Sequence, residues 1–87
     1  MQFEYDPNKS TANRAKHGID FEDAQRIWDD PWMIEAPART DDEPRFLAIG
    51  RIGEKHWAAI YAVRAGRVRL ISVRRTRQQE VAFYESA

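Results

Sequence analysis

Two short turn signals divide the stretch from Arg45 to Arg74 into three segments, and no other feature constrains the fold so tightly. Gly53-Glu54 fits a Gly-X hairpin loop. Ala65-Gly66 fits a second short turn, although glycine in the first position is the commoner order in a two-residue loop. The segments Arg45–Ile52, Lys55–Arg64 and Arg67–Arg74 are therefore read as consecutive antiparallel strands. With two-residue loops the register is set and side chains alternate strictly between faces. One face then carries Leu47, Ile49, Ala58, Ile60, Ala62, Ile71 and Val73. The other carries Phe46, Trp57, Tyr61, Val63, Val68 and Leu70, with Ser72 on the side of Tyr61. Gly50, Trp57 and Arg74 fall in one cross-strand row of that second face. One residue of error in a turn would move a whole strand to the opposite face.

The N-terminal half reads as helical. Gln2–Tyr5 alternates polar and aromatic residues and suits a short strand or extended arm. Asp6-Pro7 starts a helix, with Asp6 as cap and Pro7 in the first turn, and Gly18 ends it after His17. Ala12, Ala15 and Ile19 form its expected packing stripe, while Lys9, Asn13, Lys16 and His17 share another face. Asp20 caps a second helix whose buried stripe is Phe21, Ala24, Ile27 and Trp28, ending at Asp29-Asp30-Pro31. Trp32–Ala36 reads as a strand and Pro37–Pro44 as an acidic loop. Thr76–Gln79 matches a capping box, and a last helix is expected to reach about Tyr84. The sum is an α+β domain spanning residues 1–87: an antiparallel sheet of about four strands, two N-terminal helices and a C-terminal helix.

A chain of 87 residues suits one domain. It has no cysteine, and its two histidines, His17 and His56, have no metal-ligand spacing, so no metal site and no cofactor is expected. No secretory leader is read at Met1–Asp6, and no apolar run approaches the roughly 20 residues of a membrane helix. A cytoplasmic setting without membrane contact is the expectation. The zero net charge conceals an asymmetry. Residues 1–44 carry 5 Lys/Arg against 11 Asp/Glu, and residues 45–87 carry 9 against 3. Such a split suits a polyanion-binding face set against an acidic back, or two halves that neutralise each other in the fold.

In the simple register, Arg45, Arg64, Arg67 and Arg69 gather at one margin of the Leu47 face. Like charges side by side in a sheet destabilise it. Either acidic groups from the N-terminal half or a phosphate-bearing ligand must offset them, and arginine matches phosphate geometry best.

Read in order, Phe3-x-Tyr5-Asp6-x-x-Lys9, Asn13-x-x-Lys16-His17-Gly18-Ile19, Phe21 and Ala24 lead into Asp42-Glu43-x-Arg45, Gly50, Tyr61 and Arg64. Arg69-x-Ile71-Ser72-x-Arg74-Arg75, Glu80 and Tyr84 close the series. This pattern resembles the BrnT toxins of bacterial type II toxin–antitoxin pairs over nearly the whole chain. Tyr5 and Val73 depart from it, standing where the family usually has Trp and Ala. The resemblance implies a RelE-like fold and a ribonuclease that arrests growth by cutting RNA. It also implies a co-expressed BrnA-like antitoxin with a ribbon-helix-helix domain, through which alone the complex touches operator DNA.

Without a metal, RNA cleavage uses the 2′-hydroxyl as nucleophile and needs proton-transfer groups and cations on the phosphate. Arg64 and Arg74 are assigned to the scissile phosphate, with Arg45, Arg69 and Arg75 as flanking contacts. In the simple register these five do not share one face unless a bulge or strand end intervenes. Lys16 and His17 are candidates for proton transfer, with Glu43 and Glu80 as alternative bases or orienting partners. Trp57 or Tyr61 is a candidate for stacking on a base, and either equally suits the core. The alternatives are a non-catalytic nucleic-acid-binding module and a protein-interaction module.

Overall fold

The computed structural model describes residues 1–39 and 42–86. The three central strands form as the turn signals require: β3 (Arg45–Ile52), β4 (Lys55–Arg64) and β5 (Arg67–Arg75). Both loops contain two residues, since Ile52 pairs with Lys55 and Arg64 with Arg67. Ala65 and Gly66 have φ of 51° and 76°, as a type I′ turn demands, which places an alanine in the left-handed region.

Two strands complete the sheet, in the order β1-β5-β4-β3-β2. β2 (Ile34–Ala38) starts two residues later than expected and takes in Pro37. It is an edge strand, where a missing N–H does little harm. The rest of the expected acidic loop includes Thr40 and Asp41, which lie outside the described residues. β1 (Phe3–Glu4) pairs with β5 in parallel, Phe3 opposite Val68 and Glu4 opposite Arg69. The sheet is therefore five-stranded and mixed, where four antiparallel strands were expected. The arm was too short for its direction to be read from residue pattern.

Helix α1 (Pro7–His17) has the expected ends. Asp6 accepts from the Asn8 N–H at 2.8 Å, and Gly18 (φ 81°) donates to the Arg14 carbonyl. Its packing differs from expectation, because Ala12 and Ala15 are exposed while Ser10 and Asn13 are buried. Polar bonds, not apolar area, dock this helix. The Asn13 amide donates to the carbonyls of Ile19 (2.8 Å) and Val73 (2.9 Å) and accepts from the Val73 N–H (3.1 Å). Ser10 Oγ accepts from the Phe21 N–H. The two Asn13–Val73 bonds satisfy β5 backbone groups beyond the reach of the two-residue β1.

The second helical segment is α2 (Phe21–Ala24), capped by Asp20 and continued as a 3₁₀ turn over Gln25–Asp29. Phe21, Ala24 and Ile27 are buried against Ala48, Trp57, Ala59, Tyr61, Leu70 and Val73, and form the main core. Gly50 lets the 3₁₀ turn approach closely, since a Cβ there would sit 3.0 Å from Ile27 Cγ2 and 3.1 Å from its carbonyl oxygen. The opposite face is covered only at one end. There α3 (Gln78–Glu85) lays Tyr84 against Ile49 and Ala58, with Ile34 and Leu47 beside them. The cap of α3 is one residue later than the Thr76 motif suggests. Arg77 is the N-cap, and the Glu80 carboxylate accepts from its N–H at 2.7 Å.

Candidate nucleic-acid interface

A bulge in β5 decides which arginines share a face. Tyr61 pairs with Leu70 but Ile60 pairs with Ser72, so Ile71 is an extra residue. From Ser72 onward the simple register is shifted by one. Ser72 joins Ile60, not Tyr61, on the sparsely covered face. Arg74, opposite Ala58, moves onto the face that carries Ala62 and Arg69. Val73 passes to the helix-covered core, and Arg75 takes Arg74's expected place in the row with Gly50 and Trp57. Its guanidinium lies 5.5 Å from the Trp57 ring centroid and donates to the His56 carbonyl. Arg75 is thus separated from the other candidate arginines.

The sparsely covered face has two charged poles. At the first, Arg64 donates through Nε and Nη2 to the Glu43 carboxylate, with Nη2 to Oε1 at 3.0 Å. Arg69 pairs with Glu4 across the parallel β1–β5 contact at 2.9 Å. Arg67 donates to the Gln2 side chain at 3.2 Å. Arg64 holds the Glu43 carboxyl below the usual carboxylate range by its hydrogen bonds, and the charges of Arg45 and Arg69 add to this. Glu43 in turn raises the Arg64 guanidinium above its ordinary value. Three guanidinium groups therefore act on one carboxylate. Arg45 differs from its neighbours: its Nε is buried and has no hydrogen-bond partner among the described residues. An orphaned buried donor costs about 1–3 kcal/mol.

At the second pole, Arg74 and Glu80 meet fork to fork, Nη1 to Oε1 at 2.8 Å and Nη2 to Oε2 at 2.9 Å. These bonds, opposed by partial burial, hold the Glu80 carboxyl low, and the Arg77 N–H adds to the effect. The Arg74 guanidinium is raised correspondingly by Glu80. Between the poles run the half-buried side chains of Leu47, Ile60 and Ile71.

The poles are far apart. Arg64 lies six residues along β4 from Ala58, the partner of Arg74, which is about 20 Å. Two arginine side chains do not span that distance onto one phosphate. The expectation that Arg64 and Arg74 share the scissile phosphate is corrected accordingly. Trp57 and Tyr61, at 8% and 4% exposure, are core residues with no face for a base. The Tyr61 hydroxyl donates to Glu35. Lys16 and His17 end α1, which lies along the outer edge of β5 through Asn13. Among the described residues neither makes a side-chain hydrogen bond or ion pair with either pole.

Sequence reading missed Glu4, the partner of Arg69. The two fall in one row because β1 runs parallel beside β5, a direction that the short arm does not reveal in its residues. It also missed His56, which lies on the arginine face with its ring 5.1 Å from that of Tyr84 and its Nε2 3.6 Å from Glu85. Among the described residues, no three His, Cys, Asp or Glu side chains converge where they could hold a metal ion. No described helix is long and apolar enough to cross a membrane.

Comparison with known proteins gives one family. The family described as "Ribonuclease toxin, BrnT, of type II toxin-antitoxin system" matches residues 5–80. No curated protein matches the sequence significantly.

Proposed function

Since the chain belongs to the BrnT family of ribonuclease toxins of type II toxin–antitoxin systems, we propose that its arginine face is the RNA-cleaving surface and that cleavage uses the 2′-hydroxyl of RNA without a metal. Membership gives it an RNA substrate and an antitoxin partner. The observation that carries the assignment is the convergence of three guanidinium groups, Arg64, Arg45 and Arg69, on the single carboxylate of Glu43. A phosphate is the ligand whose charge and geometry suit such a cluster of guanidinium groups.

In this reading Arg45, Arg64 and Arg69 hold the scissile phosphate and take up the charge that grows on it as the 2′-oxygen attacks. Glu43, the carboxylate bonded to Arg64, is assigned as the proton acceptor for that hydroxyl. The O2′–P bond forms, the P–O5′ bond breaks, and the leaving oxygen takes a proton from water at this open site. The products are a 2′,3′-cyclic phosphate and a 5′-hydroxyl. Arg74, held by Glu80, grips the backbone further along the strand, over the Leu47–Ile60–Ile71 strip. The antitoxin is read as BrnA-like, with the ribbon-helix-helix domain that makes the operator contacts, and the cytoplasm as the place of action. Both follow from the sequence resemblance.

The test has two parts. Arg64→Ala and Arg74→Ala are expressed without antitoxin, and both are expected to lose growth arrest. Undiminished arrest by both would remove the arginine face from the mechanism. Purified protein is then given labelled RNA in EDTA. Continued cutting with cyclic phosphate ends is expected, whereas loss of cutting on chelation, or 5′-phosphate ends, would refute 2′-hydroxyl attack.

A further inference from the structure

At the end of the sheet that bears the β3–β4 turn, a groove of about 350 Å³ adjoins a second hollow of about 270 Å³. Trp32, Arg51 and Tyr84 line both. The groove lies at the C-terminal end of α3, where Tyr84 stands four residues beyond Glu80, roughly 6 Å along the helix axis.

Trp32 is the unusual residue. The residue is 72% exposed, although tryptophan gains more than most side chains by burial. Its backbone is nevertheless pinned. Asp30 Oδ1 accepts from the Trp32 N–H at 2.9 Å. Asp30 Oδ2 accepts from the Arg51 N–H at 2.8 Å and from the Tyr84 hydroxyl at 2.7 Å. One carboxylate thus ties the turn before β2, strand β3 and helix α3 together. Burial opposes its ionisation, but these hydrogen bonds outweigh burial and hold it below the usual range. The exposed indole therefore stands on a rigid mount.

The charges around it are also sorted. Both oxygens of Asp30 are taken up internally, and Glu85 is turned to His56 at 3.6 Å. Arg26 and Arg51 are exposed and make no side-chain hydrogen bond or ion pair among the described residues, with only a through-space attraction between Arg51 and Asp30. Asp29 and Glu85 are the exposed acids of the lining. The groove thus offers one flat aromatic face and two available guanidinium groups.

From this we infer a second RNA subsite outside the cleavage site: one nucleotide of the bound strand stacks its base on Trp32 while its phosphate is held by Arg51 and Arg26. Stacking on an exposed aromatic ring with arginine beside it is how single strands are held without reading their sequence. The inference rests on the RNA-cleaving reading above and adds to it a contact that holds the strand without touching the scissile bond. The subsite is expected to raise affinity for strands long enough to reach it and to leave shorter ones unaffected.

The experiment measures binding of a fluorescent 2′-O-methyl oligoribonucleotide of twelve residues, which lacks the attacking hydroxyl, to the parent protein, Trp32→Ala, Trp32→Phe and Arg51→Ala. Trp32→Ala and Arg51→Ala are each expected to bind about tenfold more weakly, and Trp32→Phe to recover most of the loss. Cutting of a short RNA is expected to remain at the parental rate in all three. Parental affinity in both weakened variants, with cutting intact, would overturn the subsite and leave the cleavage site standing. Loss of antitoxin binding with RNA affinity unchanged would make the groove a protein-docking surface and overturn the subsite as well. Failure of the parent itself to bind or cut RNA would overturn both readings.

Discussion

Two forked arginine–glutamate pairs stand at opposite ends of one sheet face, and their surroundings make them different devices. In the Arg64–Glu43 pair the side chains are 51% and 33% exposed, and Glu43 belongs to a loop. In the Arg74–Glu80 pair they are 23% and 12% exposed, and Glu80 also closes the first turn of α3 by accepting from Arg77 N–H. The first pair is an exposed contact, with the Arg45 Nε, which has no partner among the described residues, near it. The second is a joint that fastens a helix to the sheet. Similar bonds on a diagram thus differ in what they hold, and burial together with the remaining bonds of each partner makes the difference. Exposed pairs contribute little to folding, whereas a pair withdrawn from water is costly to break on one side only.

The contrast can be broken most directly at Arg64. Arg64→Ala is expected to lower RNA cleavage by at least about 100-fold, as loss of a charge-stabilising donor does elsewhere, with almost no change in thermal midpoint. A melting scan beside a cleavage assay checks both halves. A large drop in stability would make Arg64 a structural residue and erase the distinction. Next in size is Glu80→Gln, which keeps the shape of the side chain but leaves Arg74 without its ionic partner. It is expected to cost about 1–3 kcal/mol by urea unfolding, and α3 is expected to lose hydrogen-exchange protection first.

Acid sharpens the same point. Glu80 is held low chiefly by Arg74, so its contribution to stability is complete above its ordinary value of 4.5 and is lost as pH falls below that through the lowered folded value. The parent is therefore expected to lose stability more steeply than Glu80→Gln on acidification below 4.5, and parallel curves would contradict the pairing. At the alkaline end Tyr84 behaves in the opposite sense. Burial, with the hydrogen bond to Asp30, pushes its hydroxyl up to about 12, so its contribution is complete below 10.0 and is lost as pH rises toward 12. The smallest expected effect lies beside the exposed pole. Ala65 has φ of 51°, and Ala65→Gly is expected to stabilise the protein by about 0.5–1 kcal/mol while leaving cleavage unchanged.

Much of the fold was legible in the sequence because local chemistry decides it. Gly53-Glu54 and Ala65-Gly66 are turn residues wherever they occur between alternating strands, and Asp6, Gly18 and Asp20 cap helices for reasons internal to each helix end. What stayed hidden depends on distant partners. The bulge at Ile71 has no marker in its own residues, yet it exchanges the faces of Arg74 and Arg75. By spacing Asn13 falls with Lys9, Lys16 and His17 on a face apart from the expected Ala12, Ala15 and Ile19 stripe, whereas its amide is what docks α1. For the site, the residue types at the first pole were readable, and Arg45, Arg64, Arg69 and Glu43 do meet. Trp57 and Tyr61 were not separable from the core by pattern, since aromatic residues in strands serve both uses. Glu4, the partner of Arg69, became visible only once β1 was seen to run parallel to β5.

The account is tested most directly by a map of where RNA sits. Amide and arginine side-chain NMR signals are followed as a non-cleavable 2′-O-methyl RNA is added to the intact protein. The expected shifts fall on Arg45, Arg64, Arg69 and Arg74 and on the Leu47, Ile60 and Ile71 strip between them, with Arg75 and the exposed side of α1 unmoved. Shifts confined to α1 and the helix-covered side, with the arginine face silent, would contradict it.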